Sequence, residues 1–337
     1  MLTLGLVLVV LGALGFAYTN GFHDSANAIA TSVSTRALTP RAALVMAGVM
    51  NLAGAWLGLQ LGGGVVTAIT TGIIAAPHGG KQGLIVVFAL VAGAIGWNLI
   101  TWYRGLPSSS THALIGGMAG AGLSSGLTVH WMGLWDKVVL PMLLSPLVGF
   151  VLAYFLMIGL LWAFRRQRPG RVARGFRMAQ TVSAAGVALG HGIQDAQKSM
   201  GVIMLALVAA GHATTSSQVP WWVLWAVALT ISLGTYAGGW RIMRTLGRKI
   251  IELDPPRGFA AETVASLVLY FTAFIYPSPV STTHVITGSV MGAGATKRTK
   301  AVRWDLARKI VYGWLLTMPA AAVCAAIVYF VVHAVLR

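Results

Sequence analysis

The sequence predicts an all-α polytopic membrane protein made of two inverted-topology repeats, with broken helices, possible re-entrant hairpins and about ten to twelve transmembrane segments. Three observations carry this. Apolar stretches recur from end to end of a 337-residue chain that is 57% hydrophobic. Charged residues make up 9% of it, against about 25% in soluble domains, so it cannot face water on all sides. A set of short polar motifs also occurs twice, in the same order.

Along the chain, the apolar segments fall at about 2–19, 25–35, 41–66, 83–102, 108–123, 138–164, 178–192, 196–210, 220–240, 259–276, 280–295 and 306–334. The first has no basic residue before it and runs straight into polar sequence, which marks a retained helix rather than a cleaved signal peptide. Residues 2–36 as one helix would be about 52 Å long, too long for a single straight crossing. Asn20 and Gly21 form the natural break, and Asp24 is placed to cap the segment that follows. The segment at 41–66 opens after Arg36 and Arg41. Segments 83–102 and 108–123 join near Arg104 and Pro107 and read as a hairpin, complete or re-entrant; 259–276 and 280–295 join through the uncharged Tyr276-Pro277-Ser278-Pro279 and read the same way. Between them, 138–164 ends in an arginine-rich stretch. Segments 178–192 and 196–210 then flank a second break at Gly190 and Gly192, with Asp195 as its cap. The segment at 220–240 opens on Trp221 and Trp222, as interface anchors do. The last segment holds the single cysteine, Cys324, which rules out an intrachain disulfide and a cysteine-based metal site.

Net charge is +17. The bases cluster in three stretches: Arg165, Arg166, Arg168, Arg171, Arg174 and Arg177; then Arg241, Arg244, Arg248, Lys249 and Arg257; then Lys297, Arg298, Lys300, Arg303, Arg308 and Lys309. No basic face with interleaved aromatics exists outside them, so nucleic-acid binding gives way to membrane orientation. The positive-inside bias puts these stretches in the cytoplasm and the neutral 67–80 and 211–219 outside. The organisation expected is a first repeat at 1–164, a basic cytoplasmic linker at 165–177 and a second repeat at 178–337. Both termini lie outside, and the chain is multi-pass in the cytoplasmic membrane.

The repeat is explicit. Pro107-Ser108-Ser109-Ser110-Thr111-His112 returns 172 residues later as Pro279-Val280-Ser281-Thr282-Thr283-His284, and Gly116, Gly120 and Gly122 match Gly288, Gly292 and Gly294. Gly21-Phe22-His23-Asp24 returns 171 residues later as Gly192-Ile193-Gln194-Asp195. Two motifs at nearly one offset make the chain a duplication. Residues 2–36 run from outside to inside and 178–210 from inside to outside, so the copies oppose each other. That is the plan of secondary transporters, with the site at the repeat interface near the midplane.

Asp24 and Asp195 are the sharpest chemical signals, because ionisable groups inside membrane segments are costly and usually functional. Lys198 sits three residues after Asp195, on one helix face, and Asn27 takes the equivalent place in the first half. The three charged groups sum to −1 before any ligand arrives. Broken-helix N-termini and Ser/Thr hydroxyls suit an anion, and an anion added to that charge requires a cation to enter with it. Coupled symport follows. His23 suits proton handling; His112 and His284 read as bonded to backbone carbonyls, and the paired glycines as close helix packing.

These residues resemble the PiT family of inorganic phosphate transporters over nearly the whole chain. The family's signatures, Gly-x-Asn-Asp-x-x-Asn and Gly-x-Asn-Asp-x-x-Lys, match Gly21-Phe22-His23-Asp24-Ser25-Ala26-Asn27 and Gly192-Ile193-Gln194-Asp195-Ala196-Gln197-Lys198. The Pro-x-Ser-Ser/Thr-x-His runs and Gly234-Thr235 are similar too. The resemblance implies phosphate import by a homodimer in the bilayer. Ser109, Ser110, Thr111, Ser281, Thr282, Thr283, Asn27, Gln197 and Lys198 would bind substrate; Asp24, Asp195, His23 and Gln194 would couple the cation, with Asp24 and Asp195 as metal candidates. His23 and Gln194 replace the asparagines of the wider family. A histidine there resembles the bacterial, proton-coupled members that carry phosphate with a divalent metal such as Mg²⁺; sodium is the other coupling ion. A sulfate or other tetrahedral-oxyanion symporter is the runner-up. An intramembrane hydrolase built on Ser110 and His112 is the distant alternative, opposed by their spacing of two residues.

Overall fold

A chain segment away from water satisfies its backbone N–H and C=O groups internally, and helices do this within one segment. The structure, a computed structural model, describes residues 2–77, 79–106, 108–238, 253–297 and 302–336; of residues 25–27 it describes the backbone alone. These residues form helices with no strand, Ile74 and Val129 making an isolated bridge. In order they are α1 (Leu2–Ser34), α2 (Pro40–Gln60), α3 (Gly64–Thr71), α4 (Lys81–Arg104), α5 (Ser110–Ser125), α6 (Trp131–Ala163), α7 (Pro169–Ala209), α8 (Trp221–Ala237), α9 (Pro255–Ile275), α10 (Thr282–Ala295) and α11 (Trp304–Val335). α6 and α9 each carry a π-helical turn, at Trp135–Val139 and Phe271–Ile275.

Helix boundaries follow local chemistry. Thr39 caps α2 by accepting from the Ala42 N–H at 3.3 Å, and Pro40 takes the first turn, where its missing N–H costs nothing. Gly105 and Gly126, at φ 64° and 76°, end α4 and α5 in the left-handed region that glycine adopts freely. Asp254 caps α9. Arg257, grouped with the basic loop in the sequence, instead lies buried in the first turn of α9 and pairs with Asp254. Arg241, Arg244, Arg248, Lys249, Arg298 and Lys300 lie outside the described residues.

Six described helices are long and apolar enough to cross a bilayer: α1, α2, α4, α6, α9 and α11. α7 is longer still, at 41 residues, but its apolar sequence is interrupted by the polar run at its centre. α5 and α10, of 16 and 14 residues, are shorter than a hydrocarbon core of about 30 Å requires at 1.5 Å per residue.

The expected breaks at Asn20-Gly21 and Gly190-Gly192 are not there: α1 and α7 run unbroken through both, and Asp24 and Asp195 are mid-helix residues rather than caps. Helix crossing explains the glycines instead. A Cβ on Gly21 would collide with the Ile231 carbonyl oxygen of α8, and one on Gly192 with that of Asn51 in α2. Likewise, Gly116 and Gly120 of α5 press on the backbone of Met318 and Ala322 in α11, while Gly288 and Gly292 of α10 press on Pro146 and Phe150 in α6. The partners keep the repeat offset, since Met318 and Ala322 lie 172 residues beyond Pro146 and Phe150. Each contact joins 1–164 to 178–337, so the two halves interlock. The basic stretch also departs from a plain loop, because Pro169 already starts α7 and Arg171, Arg174 and Arg177 are exposed on its first turns.

Two apolar clusters divide the core. In α1, Val9 to Ala17 belong to the first and Ala28 to Ala30 to the second. In α7 the order reverses: Val187 and Ala188 join the second cluster, and Ala196 to Ala209 the first. The two helices therefore cross the intervening polar layer in opposite directions, and Asp24 and Asp195 lie in that layer.

Candidate functional site

Hairpin tips supply one wall of the layer. Ser109 caps α5 by accepting from the His112 N–H at 3.1 Å, and Ser281 caps α10 by accepting from the His284 N–H at 3.3 Å. These caps begin helices inside the protein, where the unshared N–H groups of the first turn carry partial positive charge. The tips touch: the Thr111 hydroxyl donates to the Val280 carbonyl at 3.3 Å, and the His112 and His284 rings lie 4.7 Å apart. His284 makes the expected backbone contact, to Met142 O at 3.4 Å, whereas His112 Nδ1 has no hydrogen-bond partner among the described groups.

The other wall is α1 and α7. Asp24, fully enclosed, accepts from the Ser110 hydroxyl on Oδ2, and on Oδ1 from Thr283 at 3.4 Å; His23 Nδ1 is 2.9 Å from Oδ1. Ser110 also reaches Asn20 Oδ1 at 3.0 Å. Asp195 Oδ1 takes Lys198 Nζ at 2.5 Å. Lys198 donates further to Thr111 Oγ1 at 2.6 Å and Val280 O at 2.8 Å, which uses all three of its N–H groups. In this arrangement Lys198 neutralises Asp195 and ties α7 to both tips.

His191, not singled out in the sequence, completes the set. It lies one turn before Asp195, as Asn20 lies one turn before Asp24. Asn51 Nδ2 donates to the Thr235 hydroxyl at 2.7 Å, and Thr235 in turn donates to Ile231 O at 2.9 Å. Asn51 Oδ1 therefore faces His191 Nδ1, at 2.8 Å, and makes that nitrogen the donor. In a neutral ring the lone pair is then on Nε2, which lies 3.1 Å from Asp195 Oδ2 without an aligned hydrogen bond. Two lone pairs facing each other in a buried site need a proton or a metal ion between them. One ligand atom each from Asp24, His191 and Asp195 fall within 4.8 Å of one another, so the acids of both motifs and this histidine can hold a single cation.

Other sequence candidates lie elsewhere. Gln197 is spent on backbone: its Nε2 donates to Gly58 O at 3.1 Å and its Oε1 accepts from Val65 N at 3.1 Å, joining α2 to α3. Gln194 donates to Thr272 Oγ1 at 3.1 Å, on α9. Thr282 Oγ1 is buried with no hydrogen-bond partner among the described groups. The Asn27 side chain lies outside the described ones. Ser110, which the hydrolase alternative paired with His112, bonds instead to Asp24 and Asn20. A further buried acid is Glu262 of α9, which accepts from Thr31, from Ser183 at 2.6 Å and from Gln180 Nε2 at 3.2 Å. It joins α1, α7 and α9. The rule that marks Asp24, an acid among apolar and small residues, marks Glu262 too.

An enclosed, charge-bearing layer between interlocked helical halves defines a polytopic membrane transport protein. The chain belongs to the phosphate transporter family, whose profile matches residues 20–325. It is 46% identical over 332 residues to a probable low-affinity inorganic phosphate transporter of Rhizobium meliloti (strain 1021), spanning 98% of this chain and 96% of that one. It is also 41% identical over 329 residues to one of Bacillus subtilis (strain 168), spanning 97% of each. Among solved structures, "The sodium-dependent phosphate transporter" superposes with a TM-score of 0.86 at 24% identity, over 98% of this chain and 99% of that one. That likeness is one of fold.

Proposed function

We propose that this protein carries inorganic phosphate across the cytoplasmic membrane together with a cation, by alternating access of two opposed repeats around the polar layer. The observation that carries the proposal is the facing pair of His191 Nε2 and Asp195 Oδ2, 3.1 Å apart and within reach of Asp24. This group is built for a positive charge, and a phosphate among the hairpin hydroxyls and α5/α10 N-termini needs that charge beside it. The opposite passage of α1 and α7 between the apolar clusters supports inverted repeats. Both termini are then extracytoplasmic, residues 165–177 link the repeats on the cytoplasmic side, and the working form is a homodimer.

A proton is the cation the surroundings of His23 suit best. With Nδ1–H donating to Asp24, neutral His23 accepts from Thr101 Oγ1 at 3.2 Å through Nε2. On protonation Nε2 donates instead, and the Thr101 hydroxyl turns to Trp97 O or Asn98 O, each 3.1 Å away. The ring gains a proton without stranding a polar group. Sodium and a phosphate-bound divalent metal are the other cations of the proposal.

Reconstitution tests it. In proteoliposomes with proton, sodium and Mg²⁺ gradients imposed singly, radiolabelled phosphate should accumulate against its gradient only when a cation gradient is present, and sulfate should compete weakly. Accumulation indifferent to every cation would remove the symport mechanism; full competition by sulfate would make the substrate a tetrahedral oxyanion of wider range.

A further inference from the structure

A cleft of about 60 Å³ opens between the C-terminal end of α4, the first hairpin tip and the N-terminal half of α11. A single water needs roughly 10–15 Å³ by the same measure, so the cleft has room for about four oxygen-sized atoms. Its polar floor is Thr101 and Ser108, both buried, and two cationic side chains, Arg104 and Lys309, stand in its wall. Among the described residues neither base has a carboxylate within ion-pair distance. Trp97, another lining residue, keeps a buried Nε1–H with no acceptor among the described groups.

We propose that this cleft is a second oxyanion site, which takes a phosphate group between Arg104 and Lys309. Arg104 offers a planar fork of donors that matches two oxygens of a tetrahedral oxyanion, and Lys309 a compact point charge for a third. The floor adds a link to the central layer. Ser108 Oγ donates to Thr101 Oγ1 at 2.9 Å, and Thr101 meets His23 beside Asp24. Two sources supply the same group. One is free phosphate passing between the central site and the basic face of the membrane. The other is the headgroup of an anionic lipid, whose chains would lie along the exposed Ile100 and Leu316 that flank the cleft.

The test uses the full-length protein in nanodiscs and the double variant Arg104→Gln/Lys309→Gln. Both side chains are exposed, so the fold should persist with an unchanged melting temperature. Equilibrium binding of radiolabelled inorganic phosphate counts sites, and native mass spectrometry reads retention of phosphatidylglycerol against phosphatidylcholine. If free phosphate is the occupant, wild type binds two per chain, and the variant keeps one with the other weakened about tenfold or more. If a headgroup is, one phosphate binds in both proteins, but preferential retention of phosphatidylglycerol falls about tenfold in the variant. The charge-keeping Arg104→Lys/Lys309→Arg restores a large part of either signal, and the single Gln variants, each partly weakened, stand in if the double variant fails to fold. Unchanged phosphate stoichiometry together with unchanged lipid retention overturns the proposal. Asp24→Asn distinguishes the sites, since it acts on the central one and leaves the cleft intact.

Discussion

At the residue scale, the site is a set of enclosed charges whose partners are countable. Asp195 has one oxygen on Lys198 and the other facing His191; Asp24 is held by Ser110, Thr283 and His23. Removing one member of a buried pair leaves the other uncompensated, at a cost of about 3–5 kcal/mol. Lys198→Ala should therefore lower thermal stability in detergent by roughly that amount, and Asp195→Asn/Lys198→Met by clearly less; equal losses would mean the pair is not the source. His23→Asn, which removes the titratable ring but can still hydrogen-bond, should abolish accumulation driven by a pH gradient while leaving equilibrium phosphate binding within a few-fold of wild type. Persisting pH-driven accumulation would move the proton elsewhere. Much of this was legible beforehand, because an acid in an apolar segment is conspicuous: Asp24, Asp195 and the Lys198 pairing were readable from residue type and spacing. His191 was readable too, by carrying the repeat offset from Asn20. Gln197 was not, since an amide serves a backbone turn as readily as a ligand, and only the fold shows that Val65 and Gly58 occupy it.

At the element scale, glycine misled in one place and informed in another. Gly21 and Gly192 suggested breaks because glycine lowers helix propensity, yet both helices continue and the missing Cβ lets another backbone approach. A kink and a close crossing leave the same mark in a single sequence. Gly116, Gly120, Gly288 and Gly292 were readable because their four-residue spacing repeats on one helix face. Gly120→Ala and Gly292→Ala should each cost about 1–3 kcal/mol, as overpacking does, seen as lower melting temperatures. Gly175→Ala, on the exposed start of α7 with nothing near its Cβ, should raise stability by about 0.5–1 kcal/mol. Equal effects at all three positions would remove the close-packing explanation.

At the scale of the whole molecule, residues 1–164 and 178–337 interlock so that neither half completes the polar layer alone. α1 and α7 cross it in opposite directions, and the tips of α5 and α10 meet in it. Hydropathy made the membrane class plain and the recurring motifs pointed to a duplication, but neither showed the exchange of partners between halves, because contacts between distant helices leave no local pattern. The central claim is that Asp24 and Asp195 form a single cation site beside the phosphate. Its most direct test is equilibrium binding of radiolabelled phosphate to purified protein across a range of cation concentrations and pH. Binding should tighten as the coupling cation rises, and Asp24→Asn and Asp195→Asn should each flatten that response. A double Asp24→Asn/Asp195→Asn variant whose phosphate affinity still tracks the cation as wild type does would contradict it.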